Sequence, residues 1–261
     1  HAAREHASRE IVSRWADGSV TRSTWGEVGK DARRFAAAMT RLGIAKGDRI
    51  ATLAMNHGHH LVSWYGSAGL GGVLHTVNPR LFDEQLVYII NHAADRVLLF
   101  DAMFLPIVER LRDQLPTVEH VILVDAPAQG DYKSYRELID AEDGRFQWVE
   151  LDERDPVGLC YTSGTTGNPK GVLYEHRSNV IHAITEIQPD VFDMSNRSVI
   201  LPIVPMFHAN SWGIPFAAAT VGAKLVFSAS NDAQVLCDLI HNEGVTHSAG
   251  VPTVWIAMVA H

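Results

Sequence analysis

Short runs of consecutive apolar residues alternate with helical patterns along most of this 261-residue chain. The runs lack the polar alternation of a strand with one solvated face, so we expect each strand to be buried on both faces. Parallel sheets covered by helices on both faces produce that pattern. The sequence therefore predicts an α/β fold with stacked, mostly parallel sheets. The strand candidates are RIATLAM (49–55), GGVLHTVN (71–78), RVLLF (96–100), HVILV (120–124), VGLCYT (157–162), VILPIV (199–204), KLVF (224–227) and VTHSAG (245–250).

Capping residues and apolar spacing mark the helices between these strands. Thr24 and Glu27 form a capping-box pattern before an apolar stripe that Gly43 ends. Asp232 opens another helix, and Gly244 follows its end. Further helices are predicted for 61–70, 83–90 and 105–115 and from residue 178 onward. The polar stretch 126–155 interrupts the alternation and is a candidate subdomain boundary.

Composition and charge exclude several classes of protein. The net charge is −8 and the pI is about 5.9, which disfavours nucleic-acid binding through released counterions. The two cysteines, Cys160 and Cys237, provide neither a disulfide framework nor metal-ligand spacing. We expect a reducing, cytoplasmic setting. No apolar run has the length of a membrane span, and no signal-peptide pattern opens the chain.

The segment CYTSGTTGNPKGV (160–172) is rich in glycine and hydroxyl residues and follows an apolar strand. Its glycines (Gly164, Gly167 and Gly171) permit positive φ and close backbone approach, and its amides can converge on an anion. Lys170 adds a cation suited to phosphate. Such a loop after a strand end predicts a phosphate cradle, although a flexible surface loop has the same composition.

The segment 160–172 does not match two other glycine-rich motifs. It is not a Walker loop, because Lys170 follows Pro169. Ser163 is not a hydrolase nucleophile either, because Tyr161 stands where that motif needs glycine.

Two other groups of residues have structural interpretations. His57, His59 and His60 have no cysteine or carboxylate nearby and match no metal-site spacing, so we expect a surface cluster at a helix start. Cys160 lies on an apolar strand with nothing near it to lower its pKa, and we expect a small core residue.

The string YTSGTTGNPKGV closely resembles the phosphate-loop signature of the adenylate-forming superfamily of acyl-CoA synthetases, adenylation domains and luciferases. GGVLHTVNPRL (71–81), VPMFHANSW (204–212) and AGVPTVW (249–255) resemble segments of its fatty acyl-CoA synthetase branch, in the same order. The resemblance covers most of the chain. It implies the fold of the large N-terminal domain of those enzymes, consistent with the α/β prediction.

The resemblance implies a two-step reaction that uses ATP, Mg²⁺ and coenzyme A. A carboxylate attacks the α-phosphate of ATP to give an acyl-adenylate and pyrophosphate, and coenzyme A then displaces AMP. Lys170 and His208 are the candidate catalytic residues. The resemblance places Thr162 near the metal, although a strand-end threonine could also bond only backbone. It places around the phosphates Thr162, Ser163, Gly164, Thr165, Thr166, Gly167 and Lys170.

The acyl side of the predicted site is carried by PMFHANSW (205–212) and by Gly250 and Val251. His208 and Trp212 are four residues apart, so a helical turn would place them on one face. In amino-acid-activating relatives an aspartate occupies the position of His208, so an apolar free acid is favoured here. Trp212 resembles the gate tryptophan of long-chain synthetases. A buried His–Trp pair, and a plain turn at Gly250, are the structural alternatives.

The resemblance also implies what lies outside this sequence. Family members continue with a glutamate that helps hold Mg²⁺, an aspartate that binds the ribose and a small C-terminal domain with an adenylation lysine. We expect the 261 residues alone to turn over little substrate. Relatives are often homodimers. The alternatives are a ligase for another carboxylic acid, such as a short thioether, aryl or branched acid, and a nucleotide-binding relative without catalysis.

Overall fold

The computed structural model describes residues 1–162 and 168–261. Within them the chain forms twelve strands, which supply two separate sheets. The strands are β1 (Glu10–Arg14), β2 (Val20–Thr24), β3 (Arg49–Leu53), β4 (Val73–Thr76), β5 (Asp95–Phe100), β6 (His120–Leu123), β7 (Lys133–Ser134), β8 (Pro156–Thr162), β9 (Lys170–Glu175), β10 (Val199–Pro202), β11 (Lys224–Ser228) and β12 (His247–Ala249).

Ten α-helices of the described residues alternate with these strands. They are α1 (Ala2–Glu5), α2 (Trp25–Arg41), α3 (Gly58–Leu70), α4 (Asp83–Ala93), α5 (Leu105–Leu111), α6 (Tyr135–Asp140), α7 (His176–Glu186), α8 (Ile214–Val221), α9 (Ala233–Glu243) and α10 (Pro252–Val259). Two short 3₁₀ segments accompany them, at Ala102–Phe104 and Arg112–Gln114, and Ala209–Gly213 form a turn whose residues all have positive φ.

The chain divides into two compact units. Unit 1 comprises His1–Gly29, Met55–Leu61 and Ser178–His261, and unit 2 comprises Lys30–Ala54 and Val62–Arg177. The polar stretch 126–155 lies wholly inside unit 2, so the division between the units does not fall there.

Unit 2 contains a seven-stranded sheet in the order β7-β6-β5-β3-β4-β8-β9. All of its pairs are parallel except β8 with β9, which are antiparallel. Ile50, Leu74 and Phe100 on its central strands have no solvent exposure. Burial on both faces explains why these strands are continuous apolar runs. The edge strand β9 is exposed along most of its length, as an edge strand can be.

Unit 1 contains a five-stranded sheet in the order β12-β10-β11-β1-β2. Its pairs are parallel except for the antiparallel pair β1 and β2. Val12, Leu201 and Val226 are fully buried and pack with residues of α9. That helix begins where the Asp232 side chain accepts the Val235 amide and ends at Gly244, whose φ is +65°.

The parallel α/β fold predicted from the sequence is confirmed, and each of the eight strand candidates contains a strand. The structure adds β1, β2, β7 and β9, which the sequence did not predict. Helix α5 ends at Leu111, and the predicted extension to residue 115 is a 3₁₀ turn. Helix α3 begins at Gly58 instead of residue 61 because His57 Nδ1 accepts the His60 amide at 3.0 Å.

An irregular segment before β8, residues 146–151, lies across helix α3 in unit 2. The Val149 amide donates to the Gly69 carbonyl at 3.0 Å. The Trp148 ring packs so closely on Gly69 that a Cβ there would lie 2.2 Å from it. Arg33 covers the same ring at 4.7 Å from its centroid, a cation–π contact. This segment is therefore fixed to the helix although it has no regular secondary structure.

Candidate active site

The two ends of the predicted phosphate loop are paired across strands β8 and β9. Thr162 lies directly opposite Lys170. Opposite residues in an antiparallel pair place their side chains on the same face, with Cβ atoms about 5 Å apart. The Thr162 hydroxyl also donates a weak hydrogen bond to the Lys170 carbonyl at 3.5 Å. Both residues are exposed, so the sheet presents a threonine and a lysine on one exposed face at the base of the loop.

The predicted phosphate-binding residues between them, Ser163, Gly164, Thr165, Thr166 and Gly167, lie outside the described residues. Their assignment stays a prediction.

Gly171 differs from the sequence expectation. It is a strand residue opposite Tyr161 and is not among the glycines with positive φ. A Cβ at this position would lie 3.2 Å from the Tyr161 ring. Glycine therefore serves here to let the tyrosine ring lie close to the neighbouring strand.

Tyr161, the residue before Thr162, is held by two histidines of the same unit. Its ring centroid lies 5.1 Å from that of His75, and its hydroxyl is 2.6 Å from His92 Nδ1. Burial raises the pKa of Tyr161 to about 12, so the phenol keeps its proton near neutral pH. Tyr161, just before the loop, is therefore held in place by its neighbours.

A fully buried histidine–aspartate pair lies beside this tyrosine. His75 on β4 and Asp95 on β5 have no solvent exposure, and His75 Nδ1 is 2.7 Å from Asp95 Oδ2. Burial raises the pKa of the Asp95 carboxyl, and His75 opposes that shift. His75 lies on β4, the strand that pairs with β8.

In unit 1, the segment after β10 carries the predicted acyl-side residues. The Asn56 amide nitrogen donates to the carbonyls of Pro202 and Val204, each at 3.0 Å. Its carbonyl oxygen accepts the Met206 amide at 2.7 Å. Asn56 therefore fixes the chain just before Phe207, which is buried, and His208, which is exposed.

The predicted helical turn between His208 and Trp212 is wrong. Residues 209–212 all have left-handed dihedrals, with φ between 46° and 57°. For residues with a side chain, this conformation costs about 1–2 kcal/mol each, so neighbouring contacts must hold it. The Ser211 hydroxyl donates to the Val204 carbonyl at 2.6 Å, and His182 Nε2 donates to the Trp212 carbonyl at 2.9 Å. Trp212 is 36% exposed, so a buried His–Trp pair does not form.

Gly250 and Val251, the other predicted acyl-side residues, lie where β12 leads into α10. A Cβ on Gly250 would meet Ile203 at 3.4 Å and Trp255 at 3.5 Å, which is ordinary contact. Packing within the protein therefore does not require glycine here. Val251 is 43% exposed.

The histidines 57, 59 and 60 do not form a metal site. The His57 ring stacks on Trp15 at 4.6 Å, and His60 Nδ1 bonds to the Met55 carbonyl. His57 and His60 are buried, so the surface cluster expected from the sequence is wrong for these two. Across residues 1–162 and 168–261, no group of three or more His, Cys, Asp or Glu side chains could hold a metal ion.

Cys160 is buried, as expected, and its sulfur lies 3.1 Å from the Thr76 hydroxyl. The longest described helix, α2, has 17 residues. None of the helices in the described parts of the chain has both the length and the apolar character needed to cross a lipid bilayer.

Comparison with known proteins places the whole chain in one family. The profile of the family described as AMP-binding enzyme matches residues 1–261. The chain belongs to the AMP-binding enzyme family.

Several curated relatives of this family member are named as CoA ligases. The chain is 50% identical over its full length to the 3-methylmercaptopropionyl-CoA ligase of Ruegeria lacuscaerulensis, of which it covers 50%. It is 48% identical to the medium-chain-fatty-acid–CoA ligase of Ectopseudomonas oleovorans, of which it covers 49%. The chain thus spans about half the length of the curated relatives it matches.

Among solved structures, the inhibitor-bound N-terminal domain of FACL13 from Mycobacterium tuberculosis superposes with a TM-score of 0.86 at 29% identity. The match covers 98% of this chain and 63% of that one. It supports the same mainly parallel α/β fold for this member of the AMP-binding enzyme family.

The structure adds three residues to the candidate site that sequence reasoning missed: Asn56, His182 and Glu186. Asn56 and His182 support the segment 204–213 from positions far away in the sequence. Glu186 contacts His182 at 3.3 Å. The spacing of His182 and Glu186, four residues apart on α7, was the one signal in the sequence that could have paired them.

Proposed function

We propose that the protein carrying this chain is an AMP-forming carboxylic acid–CoA ligase that acts on fatty acids. The observation that carries the proposal is the pairing of Thr162 with Lys170 at the base of the signature loop, in a chain of the AMP-binding enzyme family. Curated relatives that are CoA ligases, at 46–50% identity, support the same activity.

The first step joins a carboxylate oxygen to the α-phosphorus of ATP. The bond from that phosphorus to the bridging oxygen breaks, and its electron pair leaves with pyrophosphate. Negative charge grows on the phosphate oxygens during this displacement. Lys170, whose backbone is fixed in β9, neutralises part of that charge without reorganising. The amides and hydroxyls of residues 163–167 supply the remaining donors.

Thr162 is the residue of this chain that would contribute to Mg²⁺ binding. An alcohol oxygen is a hard ligand of the kind that Mg²⁺ accepts. The Thr162 hydroxyl suits this role because it is exposed and its hydrogen bond within the described residues is a weak one, at 3.5 Å to the Lys170 carbonyl. Bound Mg²⁺ would draw negative charge from the phosphate oxygens.

In the second step the thiolate of coenzyme A attacks the acyl carbon, and the bond to AMP breaks. His208 is the donor toward the substrate carboxylate and the adenylate. Because position 208 carries no carboxylate, nothing there would hold a substrate ammonium, which favours an apolar acid. Trp212, Gly250 and Val251 line the acyl side, and Trp212 acts as its gate.

A second candidate substrate is a short thioether acid. The 50% identity to a 3-methylmercaptopropionyl-CoA ligase favours it, against 48% and 46% for relatives named for medium- and long-chain fatty acids. The chemistry at phosphorus is the same for both, so only the acyl side distinguishes them.

The test uses the full-length gene product with ATP, Mg²⁺, coenzyme A and one acid at a time. The acids are butanoate, octanoate, dodecanoate and 3-(methylthio)propanoate. Acid-dependent formation of AMP and pyrophosphate is expected, with the highest kcat/KM for octanoate or dodecanoate. A preference for 3-(methylthio)propanoate would replace the fatty acid by the thioether acid. ATP binding with no acid-dependent AMP would indicate a non-catalytic relative and overturn the proposal.

A further inference from the structure

The turn that carries Trp212 is held from helix α7. His182 Nε2 lies 2.9 Å from the Trp212 carbonyl. A carbonyl only accepts, so this ring nitrogen carries the proton of the bond. The turn has four successive residues with side chains in the left-handed region. Such a conformation persists only where its surroundings hold it.

Gly213 completes the contact between the turn and the helix. A Cβ at Gly213 would lie 2.5 Å from the His182 ring and 3.1 Å from Glu186 Oε2. Only glycine lets the imidazole approach the backbone this closely. His182 is therefore packed against the end of the turn as well as hydrogen-bonded to it.

Glu186 lies four residues after His182 on the same helix. Its Oε1 is 3.3 Å from His182 Nε2, and the residue is 4% exposed. Its other oxygen, Oε2, has no hydrogen-bond partner among the described residues. Burial raises the pKa of this carboxyl to about 7, opposed by His182, the titratable group that acts on it. Glu186 Oε1 and the Trp212 carbonyl thus lie against the same ring nitrogen of His182, and the carboxyl keeps Nε2 on the side of the turn.

We propose that His182 is a positioning residue for Trp212 and that Glu186 orients it, so that this pair sets how readily the tryptophan moves and which acids the enzyme accepts. The inference rests on the assignment of Trp212 to the acyl side under the proposed function. The bond from His182 holds the Trp212 carbonyl, so a backbone change that moves this carbonyl would break the bond. Long acids, which need the indole displaced, are therefore more sensitive to this pair than short ones.

The experiment compares four variants of the full-length protein: His182→Ala, His182→Gln, Glu186→Gln and Thr185→Ala. Thr185 is the matched control, since it is exposed on the same helix and its hydroxyl donates to the Ile181 carbonyl, away from the turn. Amide hydrogen exchange is measured for the peptide 205–216, and kcat/KM is measured for butanoate and dodecanoate.

His182→Ala is expected to speed exchange in 205–216 by about fivefold, the effect of one lost hydrogen bond. It should change the dodecanoate-to-butanoate ratio of kcat/KM by about threefold or more, with KM for ATP unchanged. His182→Gln, which keeps a donor, should restore part of both effects, and Glu186→Gln should give a smaller change of the same sign. Thr185→Ala should match the wild type.

Unchanged exchange in His182→Ala, or an equal change in Thr185→Ala, would overturn the inference. Equal losses for both acids would assign His182 a general structural role instead. If the wild-type protein formed no AMP in response to acid, the proposed function would be wrong. The claim about acid selectivity would then be wrong as well. The exchange measurement would then still decide whether His182 holds the turn.

Discussion

Thr162 and Lys170 face each other across an antiparallel strand pair, although seven residues separate them in sequence. The pairing fixes both ends of the signature loop with backbone hydrogen bonds of a sheet whose other pairs are parallel. The two residues that flank the loop, Thr162 and Lys170, therefore lie next to each other. Their side chains share one face of the sheet. Phosphoryl transfer needs both a ligand for the metal ion and a cationic side chain that contacts the phosphates.

Lys170→Ala is expected to lower the rate of acid-dependent pyrophosphate release by about 100-fold or more, because it removes a charge that stabilises the transition state. The measurement is kcat for release of pyrophosphate by the full-length protein. Lys133→Ala is the matched control, since Lys133 begins β7 at the other edge of the same sheet. An unchanged rate in Lys170→Ala would contradict the assignment of this loop to phosphate binding.

Thr162→Val is expected to raise the Mg²⁺ concentration for half-maximal activity by about tenfold, since it replaces the hydroxyl by a methyl of similar size. Thr162→Ser retains an oxygen and should need much less Mg²⁺ than the valine variant. Titration with Mg²⁺ at saturating ATP measures both. The same Mg²⁺ requirement in both variants would show that the hydroxyl only bonds backbone.

Replacing one member of the buried pair His75–Asp95 is expected to destabilise the protein by about 3–5 kcal/mol, because the partner is left buried and unpaired. The double variant His75→Leu/Asp95→Leu should lose less than the sum of the two single variants. Chemical denaturation of the full-length protein measures the three free energies of unfolding. Additive losses would mean that the two side chains contribute independently.

Glu186→Gln is expected to flatten the dependence of stability on pH. Burial raises the pKa of Glu186 from 4.5 to about 7, so its contribution to stability is complete below pH 4.5 and is lost as pH rises through 7. Above that pH the variant should melt about 2–4 °C higher than the wild type. Glu84→Gln, at an exposed glutamate in the first turn of α4, is the control. If the stability of Glu186→Gln changed with pH as steeply as that of the wild type, the prediction would be contradicted.

The sequence predicted those strands that are buried on both faces. RIATL in β3 is recognisable because consecutive apolar residues record burial above and below the sheet. KGVLYE in β9 was missed because it is an exposed edge strand that directly follows a glycine-rich segment. The β1–β2 pair was missed for a related reason, since β2 carries mostly polar residues at the edge of its sheet.

The conformation of the Trp212 turn could not be read from local sequence. The spacing of His208 and Trp212 suits a right-handed turn, and no residue from 208 to 212 is a glycine that would signal positive φ. The left-handed turn is instead contacted by the Val204 carbonyl and by His182, which lies thirty residues before Trp212 in the chain. Contacts at that distance in sequence leave no periodicity for a pattern to detect.

The packing of the Trp148 ring on Gly69 affects how proteases cleave the chain. Irregular segments are ordinarily the first sites of nicking, and Phe146 and Trp148 offer aromatic residues that chymotrypsin prefers. Since the ring and the Val149 amide are both attached to α3, cleavage there requires the segment to lift off the helix first. Digestion should therefore be slow at Trp148 and become fast once Gly69 carries a side chain.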